Sequence, residues 1–179
     1  MVIGNTLEET AYHEAGHIVI AGAVGLDLKP KGIVIYEVEA VADGWASYWE
    51  DKPEWEKLLL ALRAGQVAQL KRFPDSEFRG GQPDVQKFFS IVHQHFDPKF
   101  SGDMWQDISA KALGLLHAHW SAVNAVSDAL VHAIWIPVDH GEHSLAKRKK
   151  QVNGHALAAI LATQGLSVRV RGVAVDGKE

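Results

Sequence analysis

Residues 13–17 read HEAGH: two histidines four positions apart, with a glutamate directly after the first. On an α-helix, side chains at i and i+4 stack along one face, so His13 and His17 can offer two neutral imidazoles to one metal ion. Glu14 then points to an adjacent position, where its carboxylate can take a proton from a metal-activated water. Zinc (Zn2+) suits this pattern, because it lowers the pKa of a bound water to about 7 and polarises a carbonyl oxygen. The chemistry implied is hydrolysis of an amide bond, with Glu14 as general base and then as proton donor to the leaving amine. The chain has no cysteine, so a metal held here must use His, Asp or Glu.

A catalytic zinc needs a third protein ligand and an open fourth position. The extended form HExxHxxGxxH is absent, since Ala23 stands where its third histidine would be. No Glu-bearing helix of the usual kind stands out downstream. The remaining candidates are Asp84, Glu77, Asp75, His93 and His95. The chain has ten histidines in all. His93 and His95 fall near the end of a helix, where histidines are favoured by the helix dipole. His140 and His143 flank Gly141 in a polar stretch.

The elements that must hold these residues can be read from local signals. Thr6-Leu7-Glu8-Glu9 forms a capping box that opens a helix through HEAGH, and Gly25 supplies its C-terminal stop. IVIYEVEAV at 33–41 is rich in β-branched residues and predicts a strand. Asp43-Gly44 is a tight-turn signal, and GWASYW after it completes an expected hairpin. Pro53 opens a helix through EWEKLLLALRAGQVAQLKR, and residues 73–82 read as a loop. Pro83 starts another helix, with Asp84 in its first turn. One long helix is expected from about Trp105 to Ile134, with Leu113, Leu116, Trp120, Val123, Val126 and Leu130 as its apolar stripe. Residues 138–150 read as a polar loop. Its KRKK run at 147–150 is expected to be a solvated patch. A short helix in VNGHALAAILATQ and a strand-like tail, SVRVRGVAVDGKE, complete the chain.

The whole reads as one α+β domain spanning 1–179, mainly helical with a small β-sheet or hairpin. Its 179 residues suffice for one hydrophobic core, and 47% hydrophobic with 22% charged residues is ordinary globular composition. A net charge of −4 argues against a general nucleic-acid binder. No apolar run reaches the ~20 residues of a membrane span, and no signal peptide is evident. The expected setting is therefore soluble and cytoplasmic, with no membrane and no nucleic-acid partner.

Taken together, the segments resemble the peptidase domain of the FtsH-type, membrane-associated, ATP-dependent zinc proteases. HEAGHIVIAGAVG is similar to that family's HEAGHA helix, and PKGIVIYEVEAVADGWASYW sits where the family has its substrate-edge strand. ALRAGQVAQLKRF and GGQPDVQKFFSIV resemble its small-residue helix and its T-x-G-x-x-x-D-x-x-x-A-T segment. HWSAVNAVSDALVHAI and VNGHALAAIL are similar to its closing helices. The resemblance runs from about residue 7 to 163, and HEAGH is its specific part. It implies a zincin-like fold, zinc held by His13, His17 and Asp84, and Glu14 as the catalytic base. It also implies an extended peptide added as a strand beside Gly44, Trp45 and Ala46. Phe88-Phe89 stands where the family has Ala-Thr. No Walker A pattern occurs, and the ATPase and transmembrane parts are absent from this sequence.

The expected function is a zinc metallopeptidase, ATP-independent as a lone chain. Its substrate would be an unfolded protein or a peptide, unless a separate ATPase partner unfolds larger ones. Apolar helix faces and six tryptophans make self-association into a homo-oligomer plausible. Two other classes fit the same residues: a non-catalytic, metal-stabilised binding or regulatory module, and a metallohydrolase acting on a different amide.

Overall fold

The computed structural model describes residues 5–38, 41–49, 54–76, 82–139, 141–143 and 145–172. The architecture is α+β and mainly helical. In chain order the elements are α1 (Leu7–Ala23), β1 (Leu28–Val38), β2 (Val41–Tyr48), α2 (Trp55–Arg72) and α3 (Gln82–His95). A 3-10 turn at Pro98–Phe100 leads into α4 (Ser101–Ala118), followed by α5 (Trp120–His132), β3 (Ile136–Pro137), β4 (Arg148–Val152) and α6 (Gly154–Thr163). No helix among the described residues is long and apolar enough to cross a membrane.

Helix α1 is the axis of the molecule. Thr6 caps it, accepting from the Glu9 amide while the Glu9 carboxylate accepts from the Thr6 amide at 2.7 Å. Every residue from Thr10 to Gly22 is buried, so the helix must be covered on all sides. α2, α5 and the sheet provide that cover. Gly25 ends it at φ +81°, a left-handed conformation that glycine adopts without strain.

α1 and α2 cross at unusually close range, and small residues make this possible. A Cβ on Gly16 would stand 2.6 Å from the Ala64 carbonyl oxygen and 2.7 Å from the Ala68 Cβ. Ala61, Ala64 and Ala68 are fully buried at this seam. Larger residues would force the helices apart and remove the α2 backbone from reach of the α1 side chains.

The sheet is antiparallel with strand order β2-β1-β4-β3, so β2 is an edge strand. Ile33 and Ile35 of β1 face the helices, together with their partners Ala46 and Gly44 on β2 and Val152 and Lys150 on β4. The expected hairpin is present, but its turn is elsewhere. The strands meet at Val38↔Val41, and Asp43 and Gly44 lie inside β2 opposite Tyr36 and Ile35. The local preference of Asp-Gly for a turn gives way to tertiary packing, because Gly44 faces α1, where a Cβ would stand 2.5 Å from Glu14 Oε1.

The long helix expected over 105–134 is two helices. α4 ends at Ala118, His119 leaves the helical region at φ −116°, ψ 25°, and α5 continues in a new direction. The break lets α4 cover α2 while α5 covers α1. It also exposes Leu113, while Leu116, Val123, Val126 and Leu130 are buried as expected.

The KRKK run is a solvated patch only in its first half: Lys147 and Arg148 are exposed, and Lys149 and Lys150 are not. Arg148–Val152 is strand β4, and Lys149 and Lys150 are both buried. Lys149 pairs with Glu142, which also accepts from the Tyr36 hydroxyl at 2.9 Å and pairs with Lys31 at 3.3 Å. Lys150 points to the other face and donates to the Val131 and Ala133 carbonyls at 2.6 Å each, closing the C-terminus of α5. Among the described residues of the tail, Val170 forms one parallel bridge to Leu28. Pro53, Glu77, His140 and residues 173–179 lie outside the described residues.

Candidate metal centre

His13 and His17 are the buried histidines of α1, and their ring orientations are fixed by α2. His17 Nδ1 donates to the Ala61 carbonyl at 2.7 Å. His13 Nδ1 donates to Gln69 Oε1 at 3.2 Å. Gln69 is itself fully buried, and its Nε2 donates to Asn5 Oδ1 and Ser76 Oγ, which leaves Oε1 for the ring. With both Nδ1 atoms protonated, each Nε2 carries a lone pair.

These two lone pairs point at each other. His13 Nε2 and His17 Nε2 are 3.0 Å apart, and Asp84 Oδ2 lies 3.2 Å from each. Three acceptors so close repel one another unless a cation stands between them. A tetrahedral zinc with bonds near 2.05 Å would separate its ligand atoms by about 3.3 Å. The observed triangle is within a few tenths of an ångström of that. Among the described residues, His13, His17 and Asp84 are the group able to hold a metal ion.

Asp84 reaches the site from the first turn of α3. Its side chain is 29% exposed against 6% for each histidine, so the open side of the triangle is the side that faces outward. Burial works to raise the Asp84 carboxyl, but the two histidines overcome it and hold the group well below the usual carboxylate range. Burial likewise works against a charged His17, yet the Asp84 carboxylate beside it raises the ring to about 9.

Glu14 is buried next to this triangle, against the edge strand. A Cβ on Gly44 would stand 2.5 Å from Glu14 Oε1, so glycine lets β2 pass directly over the carboxylate. Burial pushes the Glu14 carboxyl above its ordinary value; His13 and His17 oppose that, and Asp84 and Asp43 reinforce it.

The four groups form the floor of a cleft of about 260 Å³, with Gly44, Trp45 and Ala46 along one wall. The Ala42 amide donates away from β1 to the Asn5 carbonyl, and the Ala42 carbonyl accepts from Thr10 Oγ1. Backbone direction alternates along a strand, so the main-chain groups of Gly44 and Ala46 also point away from β1. Trp45, 64% exposed, projects from the same edge.

Of the other third-ligand candidates, Asp75 is exposed in a turn, and Glu77 lies outside the described residues. His93 and His95 lie in the last turn of α3, away from the triangle, and His95 stacks on Trp55 at 3.8 Å. Three contributors from α2 carry no chemical signature in the sequence: Ala61, Gly65 and Gln69. Their spacing of i, i+4 and i+8 on one helix face is the signal that could have found them. Gly65 lies against the triangle: a Cβ there would meet His17 Nε2 first, and would stand 2.6 Å from His17 Cε1 and 2.8 Å from His13 Nε2.

Against known proteins, no protein-family model and no curated protein sequence matches the chain.

Proposed function

We propose that this protein is a zinc-dependent metallopeptidase. The observation that carries the reading is the convergence of two Nε2 lone pairs and one carboxylate oxygen at zinc-ligand spacing, beside a buried glutamate and the edge strand β2. The donor set of two imidazoles and one carboxylate suits zinc, and related divalent ions as well. Bound there, zinc would activate a water molecule and polarise the scissile carbonyl.

His13, His17 and Asp84 would hold the metal, with Gln69 and the Ala61 carbonyl orienting the rings. Glu14 would take a proton from the attacking water and pass it to the departing amine. A cation at the triangle favours the ionised form of Glu14 by Coulomb attraction, which offsets the effect of burial. The outward main-chain groups of Gly44 and Ala46 would pair with an extended substrate as an added strand. That mode requires an extended backbone, so the substrate class is a peptide or an unfolded segment. The resemblance of the HEAGH helix to FtsH-type peptidase domains supports the same reading.

The test is zinc content and hydrolysis of an unfolded protein such as casein, measured on the wild type, Glu14→Gln, His17→Ala and Asp84→Ala. One zinc per chain is expected in the first two and loss in the others. Glu14→Gln should lower hydrolysis by about 10²–10⁴-fold or more while keeping its zinc. Stoichiometric zinc in the wild type without any hydrolysis would favour a metal-stabilised binding module instead. Zinc retained in Asp84→Ala would remove Asp84 from the ligand set.

A further inference from the structure

A groove of about 400 Å³ lies between α2 and α4, and none of its lining residues lines the metal cleft. Leu59 and Ile108 are buried at its floor, while Phe96 and Phe100 are 36% and 51% exposed at its rim. Along α4 the lining residues fall in two rows at one-turn spacing. Phe100, Met104 and Ile108 are apolar, and Asp103, Asp107 and Lys111 are charged. Lys111 is engaged by Glu56, which faces it from α2. Lys99, beside the Phe100 ring, pairs with Asp97 at 2.8 Å. Asp103 and Asp107 are exposed, and neither carboxylate has an ion pair or hydrogen bond among the described residues. The dipole of α4 favours an acid at Asp103, in its first turn, but has little hold on Asp107 one turn further on. With Glu56, three carboxylates stand against one ammonium, so the groove keeps two negative charges.

We propose that this groove docks an amphipathic basic helix of a partner protein, with its apolar face on Phe100, Met104 and Ile108 and its Lys or Arg side chains on Asp103 and Asp107. The walls are helices, whose main-chain groups bond within the helix, so the groove offers no ladder to an extended chain. A helical partner brings its own backbone bonds. It also repeats its side chains at i and i+4, the pitch of both rows on α4. Charge then selects among helices. Cations match the two unpaired carboxylates, whereas an acidic helix or an anionic lipid surface is repelled by them. Docking here does not depend on the peptidase reading.

The experiment is peptide binding to the full chain carrying Glu14→Gln, so that no probe is cut. The probes are two fluorescein-labelled helical peptides of about four turns. They share one leucine pattern, and the polar face is lysine in one and glutamate in the other. Anisotropy gives the affinities, amide chemical shifts locate the bound peptide, and circular dichroism establishes that each variant is folded. The lysine peptide should bind at least about ten-fold more tightly than the glutamate peptide and shift the amides of α4. Asp103→Asn with Asp107→Asn should weaken it about two- to twenty-fold, the range for two exposed ion pairs. Phe100→Ser should weaken it as well. Removing the same charge elsewhere, at the exposed Asp128 and Asp139, should change it by less than about two-fold. Equal affinity for the two peptides, equal losses in the two charge-removal variants, shifts centred away from α4, or no binding overturns the proposal. So does a dimer in sedimentation that Phe100→Ser dissociates, which would give the groove to a second copy of this chain.

Discussion

Replacing Gly65 with alanine adds one methyl group to the middle of α2, and helix propensity alone predicts a gain of up to about 1 kcal/mol. The site predicts a different outcome. The new Cβ would press closest on His17 Nε2, the ligand atom itself, and would stand 2.6 Å from His17 Cε1 and 2.8 Å from His13 Nε2, where unstrained contact needs about 3.5 Å. The His13 ring must retreat by about 0.7 Å and the His17 ring, whose Nε2 is the closest atom, by about 1 Å or more, and zinc sites tolerate only about ±0.2 Å in ligand distance. Disturbing residues that merely orient a ligand costs about 10–100-fold in metal affinity. Displacing a ligand itself should cost at least about 100-fold, or about 2.7 kcal/mol. Zinc affinity is measured by competition with a chromophoric chelator, alongside thermal unfolding of the metal-free proteins. We expect Gly65→Ala to fold within about 2 kcal/mol of wild type without metal and to lose most of its zinc affinity. A zinc affinity within three-fold of wild type would refute the geometric argument.

Three further outcomes follow from the packing. Gly44→Ala should retain zinc and lose hydrolysis, because the atoms nearest its Cβ belong to Glu14 and Thr10; zinc content and casein hydrolysis measured together check this. Lys150→Met should cost about 1–3 kcal/mol in urea unfolding, since two carbonyls at the end of α5 lose their donor; a change below 0.5 kcal/mol would remove the cap from the account. Lys149 and Tyr36 hold the Glu142 carboxyl at about 2, below its usual 4.5. A depressed carboxyl stabilises the fold above about pH 4.5, and that contribution disappears as pH falls toward 2. Glu142→Gln should therefore cost about 1–2 kcal/mol at pH 7 and flatten the acid limb of the stability curve; parallel limbs for the two proteins would contradict this.

Features set by neighbouring residues were legible in the sequence. The Thr6–Glu9 capping box, the Gly25 stop and the i, i+4 pairing of His13 with His17 need only a helix to exist. Asp84 was one of five third-ligand candidates, and the family resemblance rather than a local signal singled it out, because its meeting with both histidines depends on how α3 packs. Features set by distant partners were not legible. Lys149 and Lys150 of the KRKK run look solvated until Glu142 and the carbonyls of Val131 and Ala133 are brought to them. Asp43-Gly44 looks like a turn until Glu14 demands a glycine in mid-strand. His119 breaks a helix without any Gly or Pro, because the two halves cover different neighbours. Gly65 and Gln69 gain meaning only once α2 is laid across α1.

The strand order also bears on how the chain is made. Ile35, in the central strand β1, pairs with Gly44 on one side and with Lys150 on the other. The first partner is nine residues away and the second 115. During synthesis at about 5–20 residues per second, β1 can hydrogen-bond to β2 almost at once. It then waits on the order of ten seconds with its second edge unpaired. Through that interval the apolar run Ile33-Val34-Ile35 offers an open ladder to any other nascent strand. The strand that ends the exposure is the lysine-rich β4, whose charges disfavour pairing with a second copy of itself. Intermolecular β-pairing during expression, rather than loss of the finished fold, is thus the main hazard for variants that slow arrival of residues 148–152 at β1.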